Sequence, residues 1–294
     1  MGTLTESPSR LAWRATEPLH AMIYLVPEAA EAHVRAGISP VKGYFASRGA
    51  VFGAVGPSLV TATFYNFNPA LVAQALPAAW ETVTPERMLA DRLTTVTAAL
   101  TRGLGAATLA GPEVAEAAEL ARTAALHATT IPQGRPLFAA YAELAWPEEP
   151  HLVLFHAQTL LREFRGDGHV AALVEAGVGG LEAIVLHAAA AGDEGTYRFL
   201  RYTRGWSGEA WDAATEGLRE RGLIDGDRLS EEGARFKAEL EATTDRLAEP
   251  AYATLGEKGC LRLAELTRPL SRTLIKNGLL DVSGLTKKPR EQGH

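Results

Sequence analysis

The sequence predicts a mainly α-helical protein composed of two similar helical units, each with a small β-hairpin. Stretches rich in Ala, Leu, Glu and Arg dominate the 294 residues, and these residues are good helix formers. Strand-like runs are few and short, and segment 31–39 shares its residue pattern with segment 171–179. At roughly 100–200 residues per domain, the length allows one large domain or two small ones.

Several long segments have both the composition and the boundaries of helices. Gly103, Gly192 and Gly222 stand where helices are expected to end, since glycine is favoured just beyond a helix C-terminus. Ser230 followed by two glutamates is typical of an N-cap with acidic residues in the first turn. The helices predicted on this basis are 85–104, 112–128, 151–165, 208–221 and 230–247.

Strand signals occur in two places. Residues 59–67, LVTATFYNF, form the best β-like run, because β-branched and aromatic residues favour strands. Residues 223–224 and 228–229 flank Asp225-Gly226-Asp227, a sequence typical of a tight hairpin turn. We therefore expect small hairpins within a helical protein.

The faint internal repeat predicts the domain organisation. Segments 31–39 and 171–179 each follow an amphipathic helical segment and precede a second helix rich in small residues. Chance similarity between Ala- and Gly-rich helices is the alternative explanation. The domains predicted from the repeat are an N-terminal unit at 11–105, a connector helix and loop at 106–150, a C-terminal unit at 151–250, and a helix and tail at 251–294.

Residues 202–247 contain the clearest motif. They encode in order a helix start, an amphipathic helix, a hairpin and a long helix, which is the order of a winged helix-turn-helix. Residues 218–247, LRERGLIDGDRLSEEGARFKAELEATTDRL, resemble the recognition helix, wing and C-terminal helix of MarR-like regulators. The whole chain resembles an actinobacterial helix-turn-helix family of unassigned biochemistry, through EPLHAMIY, GYFASRG, ATFYNFNP, GRPLFAA and LREFRGDGHVAAL. Together with the repeat, these resemblances imply two fused winged-helix-like repeats, a single-chain counterpart of a MarR-like dimer.

The charge pattern limits how this protein would contact DNA. The net charge is −6, and the segment expected to enter the major groove, 208–221, carries four acidic residues against two arginines. Acidic side chains are repelled by phosphate, so few basic residues are available for contact. The residues predicted to contact DNA are Arg198, Arg201, Arg204, Arg219 and Arg228.

A site for a small aromatic or hydrophobic ligand is expected between the two units. Apolar walls with a few convergent polar groups are what such sites need. A core histidine at position 20, and a helix end followed by a polar turn at 162–169, are the structural alternatives. The residues predicted to line the site are His20, Tyr24, Tyr44, Arg48, Tyr65 and Phe67 from the first unit, and Arg162, Arg165, Asp167 and His169 from the second.

Two functions of different classes fit these patterns, with a protein–protein adaptor as a third. The first is a ligand-responsive winged-helix DNA-binding protein of the transcription-regulator type. The second is an enzyme or small-molecule-binding protein on a winged-helix scaffold that no longer binds DNA. In an enzyme, His169 would serve as acid and base and Asp167 would orient it. Arg165 would then clamp an anion, and Tyr65 would donate a hydrogen bond.

Other chemistry has little support in the sequence. The single cysteine, Cys260, excludes an intrachain disulfide and a cysteine-based zinc site, and no His-Glu-x-x-His or Walker A motif occurs. We therefore expect neither a metal nor a cofactor. Residues 1–14 lack the apolar segment of a signal peptide, and no stretch approaches the ~18 apolar residues of a membrane span. We expect a cytoplasmic monomer or homodimer that does not contact a membrane.

Overall fold

The computed structural model describes residues 6–282, so the expected tail lies partly outside the described residues. The hydrophobic side chains form two separate cores, a larger one and a smaller one. Helix α10 (Pro150–Glu175) contributes to both. It has 26 residues, about 39 Å at 1.5 Å per residue, and so links the two parts of the molecule.

The larger core and the helices around it are called the body here. Most of its helices begin with a proline, whose fixed φ suits the first helical position. The last helix packs along the first, where the Ser271 hydroxyl donates to the Ala15 carbonyl at 2.6 Å. Short 3₁₀ helices lie at Met22–Tyr24, Ala50–Phe52, Ala78–Glu81 and Glu249–Tyr252. The α-helices of the body are α1 (Pro8–Ala21), α2 (Pro27–Arg35), α3 (Pro40–Gly49), α4 (Pro57–Phe64), α5 (Pro69–Ala75), α6 (Pro85–Leu104), α7 (Ala106–Leu109), α8 (Pro112–Ala128), α9 (Pro136–Ala142), α10 and α15 (Gly256–Lys276).

The smaller core belongs to a winged unit, which follows α10 along the chain. Its strands pair antiparallel with Ile224 opposite Leu229, and Gly226 takes the positive φ that the tight turn requires. Trp211 and Leu218 on the helix before the hairpin are buried in this core. The order predicted from residues 202–247 is therefore present. Its elements are α11 (Gly180–Ala191), α12 (Glu194–Thr203), α13 (Gly208–Glu220), β1 (Ile224–Asp225), β2 (Arg228–Leu229) and α14 (Glu231–Ala248).

The expected N-terminal winged repeat differs from what the structure contains. Residues 11–105 form helices without any strand, and most of the β-like run 59–67 is helical, as the end of α4. Pro57 starts this helix, and the Thr63 hydroxyl bonds back to the Leu59 carbonyl at 2.9 Å. Burial of its apolar side chains in the larger core outweighs the strand propensity of the segment. Within residues 6–282 the winged unit occurs once, and the hairpin expected in 11–105 is absent.

The polar turn considered at 166–169 is also helical, since α10 runs through it to Glu175. A Cβ on Gly168 would lie 2.8 Å from an Arg135 guanidinium nitrogen, so the glycine lets that side chain approach the helix. Arg135 donates to the carbonyls of Phe164 at 2.5 Å and Leu247 at 2.7 Å. The contacts that Arg135 makes beside Gly168 thus offset the poor helix propensity of glycine.

Two further observations concern membrane-spanning helices and metal sites. Within residues 6–282, no single helix is long and apolar enough to cross a membrane, although α10 and α11, bent by 102°, pass by length and composition as a pair. The same residues contain no group of three or more His, Cys, Asp or Glu that could hold a metal ion.

Candidate ligand site and nucleic-acid interface

A buried carboxylate on α10 organises the polar interior of the body. The Glu163 side chain is 1% exposed and accepts from Arg48 at 3.0 Å and from Arg162 at 3.2 Å. Arg162 also pairs with Glu17 at 2.9 Å. Burial alone would raise the pKa of Glu163, but the charges of Arg48 and Arg162 hold it below its ordinary value. Glu163 is therefore ionised at neutral pH.

His20 is a fully buried neutral side chain within this interior. Burial, and then the charges of Arg162, Arg92 and Arg48, lower its pKa well below the usual value. The His20 ring stacks on Phe155 at 5.1 Å, and its Nε2 lies 3.2 Å from an Arg92 guanidinium nitrogen. Because arginine only donates, Nε2 must accept and the ring proton lies on Nδ1. That Nδ1 has no hydrogen-bond partner among the described residues.

Arg92 and Arg204, unlike Arg48 and Arg162, lack a carboxylate partner among residues 6–282. Arg92 is 5% exposed; it bonds to His20 and to the Tyr24 hydroxyl and lies over the rings of Tyr24 and Phe155. Arg204, in the loop before α13, lies over the Phe67 ring at 4.6 Å and donates to the Thr203 hydroxyl at 2.6 Å. Burial lowers the pKa of Arg204. Cation–π contacts stabilise both guanidinium groups only in part.

These groups form what we call the arginine cluster: Arg48, Arg92, Arg162 and Arg204 with the acids Glu17 and Glu163. Four cations thus face two anions. An arginine as inaccessible as Arg92 is almost always ion-paired, so this excess is unusual. The Nε atoms of Arg48, Arg92 and Arg204 are also buried without an acceptor among the described residues.

Aromatic rings connect the arginines to one another. Tyr24 lies 5.5 Å from Tyr44, and Tyr44 lies 5.5 Å from Phe67, measured between ring centroids. Arg92 stands at one end of this row and Arg204 at the other. Tyr24 and Tyr44 are partly exposed, so the row reaches the surface. The structure thus brings together six predicted ligand residues, which are His20, Tyr24, Tyr44, Arg48, Phe67 and Arg162.

The other four predicted ligand residues have separate partners. Arg165 pairs with Asp245 at 2.6 Å and Glu241 at 3.3 Å, and Tyr65 donates to the Val178 carbonyl at 2.6 Å. Asp167 accepts from the Phe138 amide at 2.9 Å, and burial raises its pKa to about 6. His169 bonds to the Thr244 hydroxyl at 2.8 Å, and burial lowers its pKa to about 4. These contacts do not form the acid–base arrangement expected for an enzyme.

Sequence reasoning did not identify Arg92, Glu163 or Glu17, and it assigned Arg204 to DNA. A usable signal exists for Arg92, which follows Met88 and precedes Val96 at helical spacing. All three side chains are buried on one face of α6. An arginine on an otherwise apolar helical stripe therefore indicates a polar interior.

The arginines predicted to contact DNA lie in the winged unit, but most of them are engaged within the protein. On α13, Glu209, Asp212, Glu216 and Glu220 are exposed. The predicted contacts other than Arg204 have partners within the protein: Arg198 with Glu194, Arg201 with the Trp206 carbonyl, Arg219 with Glu216 and the Gly226 carbonyl, and Arg228 with the Gly192 carbonyl. Only side-chain rearrangement would free these groups for phosphate.

The loop after α4 connects the body to the winged unit through several hydrogen bonds, and we call these contacts the clasp. The Asn68 backbone and side-chain amides donate to the Arg204 and Gly205 carbonyls, both at 2.9 Å. The Trp206 indole donates to the Asn66 carbonyl at 3.0 Å. Tyr65, at the start of the clasp, has a φ of 57°, a strained conformation for a residue other than glycine. Strain of this kind persists only where surrounding contacts hold it in place.

The helix–hairpin–helix order and the exposed α13 define a protein of the helix-turn-helix class. The comparison with known families agrees: a profile described as "Helix-turn-helix family" matches residues 9–281. The chain belongs to this family. No curated protein and no solved structure matches the chain.

Proposed function

We propose that the protein is a ligand-responsive DNA-binding regulator. In this proposal the winged unit binds DNA, and the arginine cluster binds a small effector. Family membership and the MarR-like order of α13, wing and α14 support the first half. The second half rests on the excess of arginines over acids in the cluster and on buried hydrogen-bonding atoms that lack partners among the described residues.

One observation carries the link between the two halves: Arg204 belongs to both. Its guanidinium lies in the arginine cluster, and its backbone carbonyl takes part in the clasp. Shortly after it, Ser207 caps α13, accepting from the Ala210 amide at 3.1 Å. A ligand that repositions Arg204 would therefore shift the N-terminus of the helix that meets DNA. The effector acts only if it binds the two arrangements with different affinity.

The structure limits how this regulator would meet its operator. Arg198, Arg201, Arg219 and Arg228 would supply the phosphate contacts once their side chains leave their present partners, since Arg204 lies in the cluster. Because residues 6–282 contain one winged unit, an operator with two half-sites requires a homodimer. We propose that dimer as the DNA-binding form.

The test is a titration of the full-length chain against a fluorescent random-sequence duplex between about 50 and 200 mM salt. With three to four phosphate contacts, log affinity should fall against log salt with a slope of about −3 to −4. Arg228→Ala should reduce that slope by about one. Arg87→Ala, an exposed arginine on α6 of the body, is the matched control and should leave it unchanged. No binding at about 50 mM salt would overturn DNA binding.

A second experiment addresses the link itself. Asn68→Ala removes the hydrogen bond from the Asn68 side chain to the Gly205 carbonyl, one of the three in the clasp, and leaves the cluster residues in place. We expect ligand affinity to be retained and the effect of ligand on DNA affinity to fall. An unchanged ligand effect in this variant would contradict the role of the clasp.

The acidic face of α13 favours a second candidate, a small-molecule-binding protein on a winged-helix scaffold that no longer binds DNA. Within that candidate, binding is favoured over catalysis, because His169, Asp167, Arg165 and Tyr65 each engage a different partner. Ligand binding together with no DNA binding at about 50 mM salt would select it.

A further inference from the structure

We propose that the last helix of the body, α15, carries a second surface that binds the phosphates of DNA. Arg268, Arg272 and Lys276 form this surface, which we call the basic face of α15. The inference rests on the DNA binding of the proposed function and extends it from the winged unit to the body. It draws on the spacing of the three side chains, on their lack of partners and on their place in the fold.

The spacing puts the three cations on one side of the helix. They follow one another at intervals of four residues along α15, and all three are exposed. At 1.5 Å per residue they span ~12 Å of the helix. The phosphates of one DNA strand recur every ~3.4 Å along the duplex axis, so a surface of this length faces about three or four of them. No acidic residue occurs between Glu265 and Asp281, so the basic face is uniformly positive.

The three side chains form no hydrogen bond or ion pair within residues 6–282. Arg262, one turn and a half earlier on the same helix, differs because it pairs with Glu116 at 2.7 Å and with Glu265 at 2.9 Å. Segment 283–294 has three basic residues against one acidic residue, so the end of the chain does not supply a neutralising partner by its composition. A phosphate can therefore bind the basic face without displacing a carboxylate of the protein.

The basic face lies away from the winged unit. Just beyond it, the Asn277 side-chain amide donates to the Gly103 carbonyl near the end of α6, at 2.8 Å. The neighbouring Leu104 lines a small apolar cavity together with His151, near the start of α10. The winged unit packs instead on the other end of α10, where Leu173 belongs to the smaller core. Most of a helix ~39 Å long therefore separates the two basic surfaces.

DNA fits the basic face better than a lipid bilayer does. Helices that bind bilayers insert an apolar face that lies beside their basic residues. The apolar face of α15 is already buried, since Leu263, Leu270 and Leu274 belong to the larger core. Ile275 is 56% exposed, but one side chain does not form such a face. A duplex presents phosphates that bind by charge alone, and the chain belongs to a helix-turn-helix family.

The test compares a duplex of about 12 base pairs, ~40 Å long, with one of about 36 base pairs, ~120 Å long, each in excess over the full-length protein. The short duplex reaches one surface at a time, so log affinity should fall against log salt with the slope of the winged unit, about −3 to −4. The long duplex is long enough to reach both surfaces, and two or three further contacts should steepen the slope to about −5 to −6. Equal slopes for the two lengths would overturn the inference.

Variants locate the contact on the long duplex and remove the effect of length itself. Arg272→Gln should reduce the slope by about one, and neutralising Arg268 and Lys276 as well should return it to the value of the short duplex. Arg262→Gln is the matched control, because it changes the net charge equally on the same helix at an arginine that is already paired. Arg272→Lys keeps the charge and should keep the slope. If the triple variant fails to fold, the single variants decide: the same slope in Arg272→Gln and Arg262→Gln would refute the assignment.

The outcomes separate this inference from the proposed function. A slope that falls in Arg272→Gln but not in Arg228→Ala leaves the basic face standing and removes the winged unit from the DNA contact. The reverse pattern removes the basic face and leaves the regulator standing. Binding to phosphatidylglycerol vesicles that is lost in Arg272→Gln, with DNA binding unchanged, would identify a membrane as the partner and overturn the inference.

Discussion

Replacing Glu163 by glutamine is the most direct test of the buried charge network. The substitution keeps the size of the side chain and removes its charge. Arg162 retains Glu17 as a partner at 2.9 Å, whereas Arg48 loses the carboxylate with which it is paired at 3.0 Å. The variant therefore leaves the guanidinium of Arg48, whose side chain is 13% exposed, without a charged partner.

The size of the effect follows from burial. Breaking a buried pair by removing one partner typically destabilises a protein by about 3–5 kcal/mol, because the other charge is left uncompensated. The glutamine oxygen can still accept one hydrogen bond, which places the expectation near the lower limit, about 3 kcal/mol. Glu231→Gln is the control, since Glu231 pairs with Arg235 at 3.1 Å but is 93% exposed. Exposed pairs contribute about 0–1 kcal/mol.

The assay is urea denaturation of both variants, followed by tryptophan fluorescence and far-ultraviolet circular dichroism. With an m-value of about 3 kcal/mol/M, Glu163→Gln should lower the midpoint by about 1 M, and Glu231→Gln should barely change it. The difference should also depend on pH. The pKa of Glu163 is held below its ordinary value, so its contribution to stability is present above pH 4.5 and is lost as pH falls through the folded pKa. A destabilisation no larger than that of the control at pH 7 would refute the description of Glu163 as the organising anion.

Three further predictions concern other parts of the molecule. Gly233→Ala should destabilise the winged unit in thermal melts, because its Cβ would lie 1.9 Å from the Leu223 carbonyl oxygen; Gly217→Ala, with open space at its Cβ, should be neutral or stabilising by up to about 1 kcal/mol. Asp167→Asn should remove one contribution to the pH dependence of the free energy of unfolding. The pKa of Asp167 is about 6 in the folded protein against 3.8 in the unfolded chain, so the unfolded chain loses this proton first as pH rises. In the unchanged protein, the contribution of Asp167 to stability therefore falls between about pH 4 and pH 6. Equal slopes in the two proteins would contradict that pKa. Arg204→Met should leave the ligand-free protein as stable or more stable, since a thioether packs well on Phe67 and no carboxylate loses its partner. A decrease in the free energy of unfolding above about 2 kcal/mol would contradict the description of Arg204 as lacking a carboxylate partner.

The winged unit is the part of the fold most accessible to sequence reasoning. Its determinants are local: Ser207 and Ser230 cap their helices, and Gly226 permits the tight turn between the strands. Each cap and the turn depend on residues only a few positions away. The boundaries of α13, β1, β2 and α14 therefore follow closely from the sequence. The mainly helical composition is predictable for the same reason.

The candidate site could be predicted only in part. Six of its aromatic and polar residues were identified by type, because buried polar groups among aromatic side chains are typical of ligand sites. The pairing of Arg48 with Glu163 joins α3 to α10, and such long-range pairing leaves no local pattern. The sequence predicts a DNA contact for Arg204, because Arg198, Arg201 and Arg204 together resemble a basic surface. In the structure, Arg204 packs over Phe67 and points inward.

The sequence by itself determined the helical class, the winged unit and the shortage of free basic charge, since composition and local hydrogen bonding specify them. Tertiary structure alone decided that residues 59–64 are helical and that α10 continues through its two glycines. It also decided that four arginines gather around two acids. In each case the deciding energy comes from burial and charge contacts between segments distant along the chain, which outweigh local propensities of about 1 kcal/mol or less.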